Sequence, residues 1–454
     1  MPYILIVALL LCQACLGQTS EFAGIWKGEL KFGGNSLPFI ITVEQHPDGM
    51  SAHAESPDQG VKNIPTKVQV NGDSIYFDIK GGILVKGKMI DGKIDALFMQ
   101  SGIKIPFVMY RSQVDDYGKA NVKVRTQEPI KPYPYDTLAV HIPNKLDGVD
   151  LAGTITVPKG EGKFPAVVLV SGSGPQDRDE SLFGHKPFKI LADYLTKKGI
   201  IVLRYDDRGV GSSSGNFESS TIEHFSKDAI AAFQYLQGVD KVDENKLGII
   251  GHSEGGLIAY LLAGQALPHL SFIVSLAGPA ISIDQLMVEQ LYAIGKASGM
   301  NQTQLEHAKR INETNFSIVK SDLSTEKAYE ALVNNMGLTV QGQQMDAMKG
   351  ELMTMLSPAY RYFLRIEPEH FLTKIYIPVF AAFGQLDVQV PAAKNKSSLE
   401  NFLAPNSKTV IKEYKGLNHL FQRAKTGLVQ EYVDIEHTMD EVFMEELASW
   451  IKKL

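Results

Sequence analysis

The stretch LGIIGHSEGGLIAYLLAG, residues 247–264, constrains this chain more than any other. An apolar run enters a Gly-His-Ser-Glu-Gly turn, and a second apolar run leaves it. The first run reads as a buried strand and the second as a buried helix. Gly251, Gly255 and Gly256 box in Ser253 at the sharpest point of the bend. A serine there needs strained backbone, and larger neighbours would collide with strand and helix. Two readings compete: a turn that merely uses small residues, or a nucleophile held where a substrate can reach it. The pattern alone is weak, but the strand–turn–helix context favours the nucleophile.

The surrounding sequence supplies a matching frame. From about Tyr135, apolar strands alternate with amphipathic helices. FPAVVLVSGSG is a strand entering a glycine loop, and PFKILADYLTKKG is a helix stopped by Gly199. IIVLRYD, KLGIIGH, FIVSLAGPA, IYIPVFAAFG and KTVIKEYKG are further strands. This rhythm predicts an α/β class with a mostly parallel sheet covered on both faces. Residues 282–369 break the rhythm with Met-rich, polar helices, expected to form a lid-like insertion.

A chain of 454 residues exceeds what one core usually serves. Residues 22–111 form short alternating segments punctuated by Gly34-Asn35, Asp48-Gly49, Asn71-Gly72 and Asp91-Gly92, which predicts a small all-β antiparallel domain, lipocalin-like or a sandwich. The expected organisation is a leader at 1–17, the β domain at 22–111, a linker at 112–135, a catalytic α/β domain at 136–281 and 370–454, and the helical insertion at 282–369 between its halves.

A serine hydroxyl needs a base, and the base needs an orienter. Asp387 follows the strand PVFAAFG, and His419 follows the strand that ends in YKG. Both come after Ser253 in the order serine, acid, histidine, beyond the carboxyl ends of strands, where open α/β sheets bind ligands. Asp387 could instead be a loop carboxylate that caps a helix, and His419 a surface imidazole. The ordering of all three favours a triad. An oxyanion hole needs backbone N–H groups, expected from Glu254 and from Ser173 in the loop SGSGPQDRDE. A phosphate-binding loop is disfavoured there, because G-x-x-x-x-G-K-[ST] is absent and Pro175 removes a donor.

Other polar clusters carry weaker signals. In RYDDRGVGSSSG, Asp206 and Arg208 are expected to pin a loop wall rather than bind a charged substrate group. Asp177, Arg178, Asp179 and Glu180 invite a metal reading, but no histidine stands at ligand spacing, so no metal or cofactor is implied. His252 is read as support for the elbow, and His224 and His307 as ordinary helix residues. A net charge of -6 without basic blocks argues against a nucleic-acid partner. MPYILIVALLLCQACLG is too short to span a membrane and reads as a secretory signal, which predicts a secreted or periplasmic protein beginning at Gln18. Cys15 as a lipid-anchor site is the lesser alternative, because Cys12 and Gln13 fit that pattern poorly.

The segments SGSGPQDRDE, GHKPFKILADYLTKKGI, VLRYDDRGVGSSSG, IGHSEGG and FGQLDVQVP resemble a family of bacterial secreted α/β-hydrolase esterases related to serine aminopeptidase-like hydrolases. The resemblance covers residues 136–454; over 22–111 it is architectural only. It implies carboxylesterase activity on short acyl esters, with Ser253 as nucleophile, Asp387 as acid, His419 as base and the loop from Ser171 lining the oxyanion hole. Leu386 departs from the family, which commonly carries Lys before the acid. An aminopeptidase on the same fold is the alternative; it would need an acidic site for a peptide N-terminus, expected near the insertion. A non-enzymatic binder carried by the β domain is the remaining rival.

Overall fold

The computed structural model describes residues 21–32, 35–46, 49–56, 61–79, 83–100, 103–112, 125–337, 349–350 and 352–454. The leader at 1–17 with Cys12 and Cys15, Gly34, Asp48, part of the linker and residues 338–348 of the insertion lie outside them. Two compact units emerge.

The first unit is an antiparallel barrel of β1 (Gly24–Phe32), β2 (Asn35–His46), β3 (Gly49–Ser56), β4 (Val61–Asn71), β5 (Ser74–Ile79), β6 (Ile83–Ile90), β7 (Lys93–Gln100) and β8 (Ile103–Ser112). Alternation drives it: along β5, Ile75, Phe77 and Ile79 are buried while Tyr76 and Asp78 are exposed. Asp91 and Gly92 join β6 to β7 with φ of 50° and 75°, the paired positive values that a tight hairpin turn requires. The sheet closes where Ile25 to Gly28 of β1 pair with Ser112 to Met109 of β8. The fold is therefore a closed barrel rather than a sandwich. An eight-stranded barrel leaves a lumen that side chains can just fill. Here Trp26, Phe39, Phe77, Phe98 and Phe107 occupy it, with Phe39 edge-on to Phe98 at 5.6 Å.

The second unit holds an eight-stranded sheet in the order β16-β15-β14-β13-β11-β12-β10-β9. The strands are β9 (Asp136–Asn144), β10 (Val149–Val157), β11 (Phe164–Val170), β12 (Ile201–Tyr205), β13 (Val242–His252), β14 (Phe272–Leu276), β15 (Val379–Gly384) and β16 (Val410–Tyr414). β10 pairs antiparallel with both β9 and β12; every other neighbouring pair, β12 with β11 included, is parallel. Strands covered on both faces favour near-continuous apolar runs, and β12 and β14 are buried throughout, with Arg204 and Ser275 as their polar members. Helices α1 (Pro187–Lys197), α2 (Ile222–Gln237) and α3 (Glu254–Gly264) connect the first parallel strands. α3 is apolar on all sides, as a fully buried helix must be.

Between β14 and β15 come α4 (Ile283–Ala297), α5 (Gln302–Lys320), α6 (Thr325–Asn335), α7 (Pro358–Leu364) and α8 (Glu369–Leu372). α9 (Ala392–Phe402) and α10 (Glu441–Lys453) complete the unit. Among the described residues, no helix is long and apolar enough to cross a membrane, and no cluster of His, Cys, Asp and Glu could hold a metal ion.

Candidate active site

β13 lies at the centre of the sheet and ends at His252; α3 starts at Glu254. Ser253 is left at the joint with φ 52° and ψ −117°. A positive φ on a residue with a side chain costs roughly 1–3 kcal/mol and persists only where the surroundings enforce it. They do so here. Ser253 N–H donates to the Leu276 carbonyl at 2.8 Å. A Cβ on Gly251 would come within 1.9 Å of the Gly255 oxygen, and one on Gly255 within 2.1 Å of the Val170 oxygen. Strand and helix thus cross at a distance only glycine permits.

Three loops meet the elbow at the carboxyl edge of the sheet. Asp387, beyond β15, accepts the N–H groups of Gln389 and Val390 on Oδ1, each at 2.8 Å. Its Oδ2 accepts from His419 Nδ1 at 2.8 Å. His419, beyond β16, is buried, and its ring lies 4.7 Å from the ring of His252, the neighbour of Ser253. The structure thus gathers Asp387 and His419 beside the elbow. Ser253 Oγ itself makes no hydrogen bond to a described residue. On the other side, a Cβ on Gly172 would stand 3.2 Å from Ser253 Cβ, so the loop holding Ser173 passes directly over the serine.

The charges that sequence left scattered are mostly consumed in holding these loops. Asp207 braces the 171–176 loop at both ends: Oδ1 accepts from Ser171 Oγ at 2.8 Å and Oδ2 from Gln176 N–H at 3.0 Å. Arg178 forks onto Asp206, Nε to Oδ1 at 2.9 Å and Nη2 to Oδ2 at 2.6 Å. Arg204 pairs with Asp179, and Arg208 donates to Asp228 and Asp147. Asp177 Oδ1 caps the N–H groups of Asp179 and Ser181, each at 3.0 Å. Asp177 and Asp179 are therefore spent on a turn and an ion pair.

A shallow cleft opens beside the elbow, lined by the Val170–Gly174 segment and by Phe217, Phe225, Asp207, Asp228, Glu254 and Ile258. The Phe217 and Phe225 rings stack at 5.1 Å. Asp207 and Glu254 were not singled out as side chains of this cleft by sequence, because an acidic site was expected near the insertion. Burial raises the Glu254 carboxyl to about 7. Burial also raises Asp207 to about 7, against the bonds from Gln176 and Ser171, with added repulsion from Glu180 and Glu254.

These shifts carry a prediction with a definite sign. A carboxyl whose folded pKa is raised binds its proton more tightly when folded. Its stabilisation is complete below the unfolded value and is lost as pH climbs through about 7. Glu254→Gln is therefore expected to flatten the fall in stability between about pH 4.5 and 7.5, by up to about 3 kcal/mol. Urea unfolding at stepped pH checks this; a Gln variant that tracks the unmodified chain would contradict it.

The fold and elbow set the context for comparison with known proteins. A family described as serine aminopeptidase, S33 matches residues 186–423, more than half of the chain. Esterase EstD of Thermotoga maritima is 30% identical over 314 residues, 67% of this chain and 66% of that protein. Human mitochondrial palmitoyl-protein thioesterase ABHD10 is 26% identical over 171 residues, 38% of this chain and 48% of that protein. The matches thus span less than two thirds of these relatives' own lengths. The solved structure of ferulic acid bound to Est1E from Butyrivibrio proteoclasticus aligns at 19% identity and a TM-score of 0.42, over 69% of this chain and 97% of that one. An α/β-hydrolase sheet with a strained serine elbow at its centre, within a family match from 186 to 423, makes this chain a member of the serine aminopeptidase, S33 family.

Proposed function

We propose that the chain is a serine carboxylesterase acting on short-chain acyl esters. In this reading His419 takes the Ser253 proton as Oγ attacks the ester carbonyl, and Asp387 holds the imidazole by its Nδ1–H. The backbone N–H groups of Ser173 and Glu254 receive the negative charge that develops on the carbonyl oxygen. The alcohol leaves with the proton from His419, and water activated by the same imidazole then releases the acid from Ser253. The observation that carries the reading is the buried 2.8 Å bond between Asp387 and His419, packed against a strained serine elbow. The free Ser253 hydroxyl is compatible with it, since catalytic hydrogen bonds often tighten only once substrate is bound.

A peptidase reading has one observation in its favour. Asp207 and Asp228 have donors, whereas no described residue donates to the Glu254 carboxylate, so a substrate ammonium could complete it. We rank the ester reading first because burial disfavours the charged Glu254 carboxylate on which ammonium binding would depend. Turnover of p-nitrophenyl acetate and butyrate against aminoacyl p-nitroanilides decides between them. Faster anilide turnover, lost in Glu254→Gln, would overturn the ranking.

The proposal includes export, on the strength of the apolar stretch 1–17. An intact mass beginning at Gln18 is expected from the secreted or periplasmic fraction; retained Met1 in the cytosol would refute it.

A further inference from the structure

A second histidine–carboxylate pair lies beside the first. Glu180 is 2% exposed and His252 is 6% exposed, so both are interior residues. Glu180 Oε1 accepts two hydrogen bonds, from Gly172 N–H at 2.9 Å and from His252 Nδ1 at 2.8 Å. His252 Nε2 lies 3.1 Å from the His419 carbonyl oxygen. Both ring nitrogens therefore face acceptors, and satisfying both requires a proton on each. Burial opposes that charge, but the Glu180 carboxylate and the His419 carbonyl favour it, and the net direction is upward from the usual imidazole value. The turn that aims Glu180 inward is itself built for the purpose. Glu180 sits at φ 52°, its N–H held by the Asp177 carbonyl at 2.9 Å.

We propose that Glu180 and His252 form a positioning brace, which locks the oxyanion loop at Gly172–Ser173 to the general-base loop at His419 through one carboxylate oxygen. The inference rests on the hydrolase reading above. Neither hydrogen bond of Glu180 involves Ser253 or Asp387, so the pair acts through its neighbours. The loops that it joins supply the oxyanion donor and the proton acceptor, both used most fully in the transition state. Loosening them lowers kcat and leaves substrate binding nearly intact. Residues that work as one unit also give non-additive losses.

The test uses the full chain with Glu180→Gln, His252→Gln and the double variant, assayed on p-nitrophenyl acetate. Active sites are counted by fluorophosphonate titration, so that only competent protein is scored. Each single change is expected to lower kcat about 10- to 100-fold, with KM within about twofold. The double variant is expected to match the worse single within about threefold. Unchanged kcat in Glu180→Gln, or losses that multiply in the double variant, would overturn the brace. If Glu180→Gln fails to fold, His252→Gln decides alone, and an unchanged kcat there overturns it equally. An unmodified chain that neither turns over ester nor takes the label is a failure of the hydrolase reading instead.

Discussion

Ser253→Ala is expected to reduce ester turnover by about 10⁵-fold or more while leaving the melting temperature essentially unchanged. The activity arm follows from the proposed chemistry, in which no other group forms the acyl bond. Residual turnover over water would come from the oxyanion donors and substrate binding alone. The stability arm follows from the structure. Ser253 Oγ makes no hydrogen bond to a described residue, so the change leaves no buried partner unsatisfied. The elbow backbone is enforced by the Leu276 carbonyl and by the close glycine contacts, none of which the hydroxyl provides. Steady-state kinetics and thermal unfolding on the same preparation check both arms. An Ala variant with more than a few per cent of activity would remove Ser253 from the mechanism.

Asp387→Asn should lower kcat by about 10⁴-fold with a folded protein. Asp387 presents one oxygen to the N–H groups of Gln389 and Val390 and the other to His419 Nδ1. An asparagine must keep its oxygen on the two backbone donors, because its NH₂ would clash with them. That points the NH₂ at His419 Nδ1 and forces the imidazole into the tautomer that carries its proton on Nε2, where it cannot act as base toward Ser253. A drop of less than about tenfold in kcat would show that Asp387 does not set the tautomer.

How much of this was legible in sequence depended on the range of the interactions. The elbow was legible because its requirements are local: Gly251, Ser253 and Gly255 fall within five residues, between two apolar runs. The parallel sheet was legible because each buried strand advertises itself by its own composition. Asp387 and His419 were readable as candidates from their place after strands, although their contact spans a separation of 32 residues. The barrel's hairpins were legible from Asn71-Gly72 and Asp91-Gly92, and a closed, lipocalin-like sheet was one of the two expectations; the register by which β1 meets β8 was not, since it is set only by long-range pairing.

The bracing residues were the least visible. Glu180 stood in an acidic run that resembled a poor metal motif, and its partner His252 lies 72 residues further on. His252 was read as support for the elbow, without the carboxylate that its ring faces. Asp207 sits between Asp206 and Arg208, and nothing local distinguishes the one that holds the 171–176 loop from the two that pair elsewhere. Side-chain pairing of this kind has no period and no spacing rule, so only the fold reveals it.

The central claim is that a single serine, activated by a histidine from a distant loop, forms the covalent bond to substrate. Fluorophosphonate labelling of the full chain, read by intact mass and peptide mapping, tests it most directly. The account predicts one adduct per chain, on Ser253, formed at least about a hundredfold more slowly in His419→Ala. An unlabelled chain, an adduct on another serine, or labelling indifferent to His419 would contradict it.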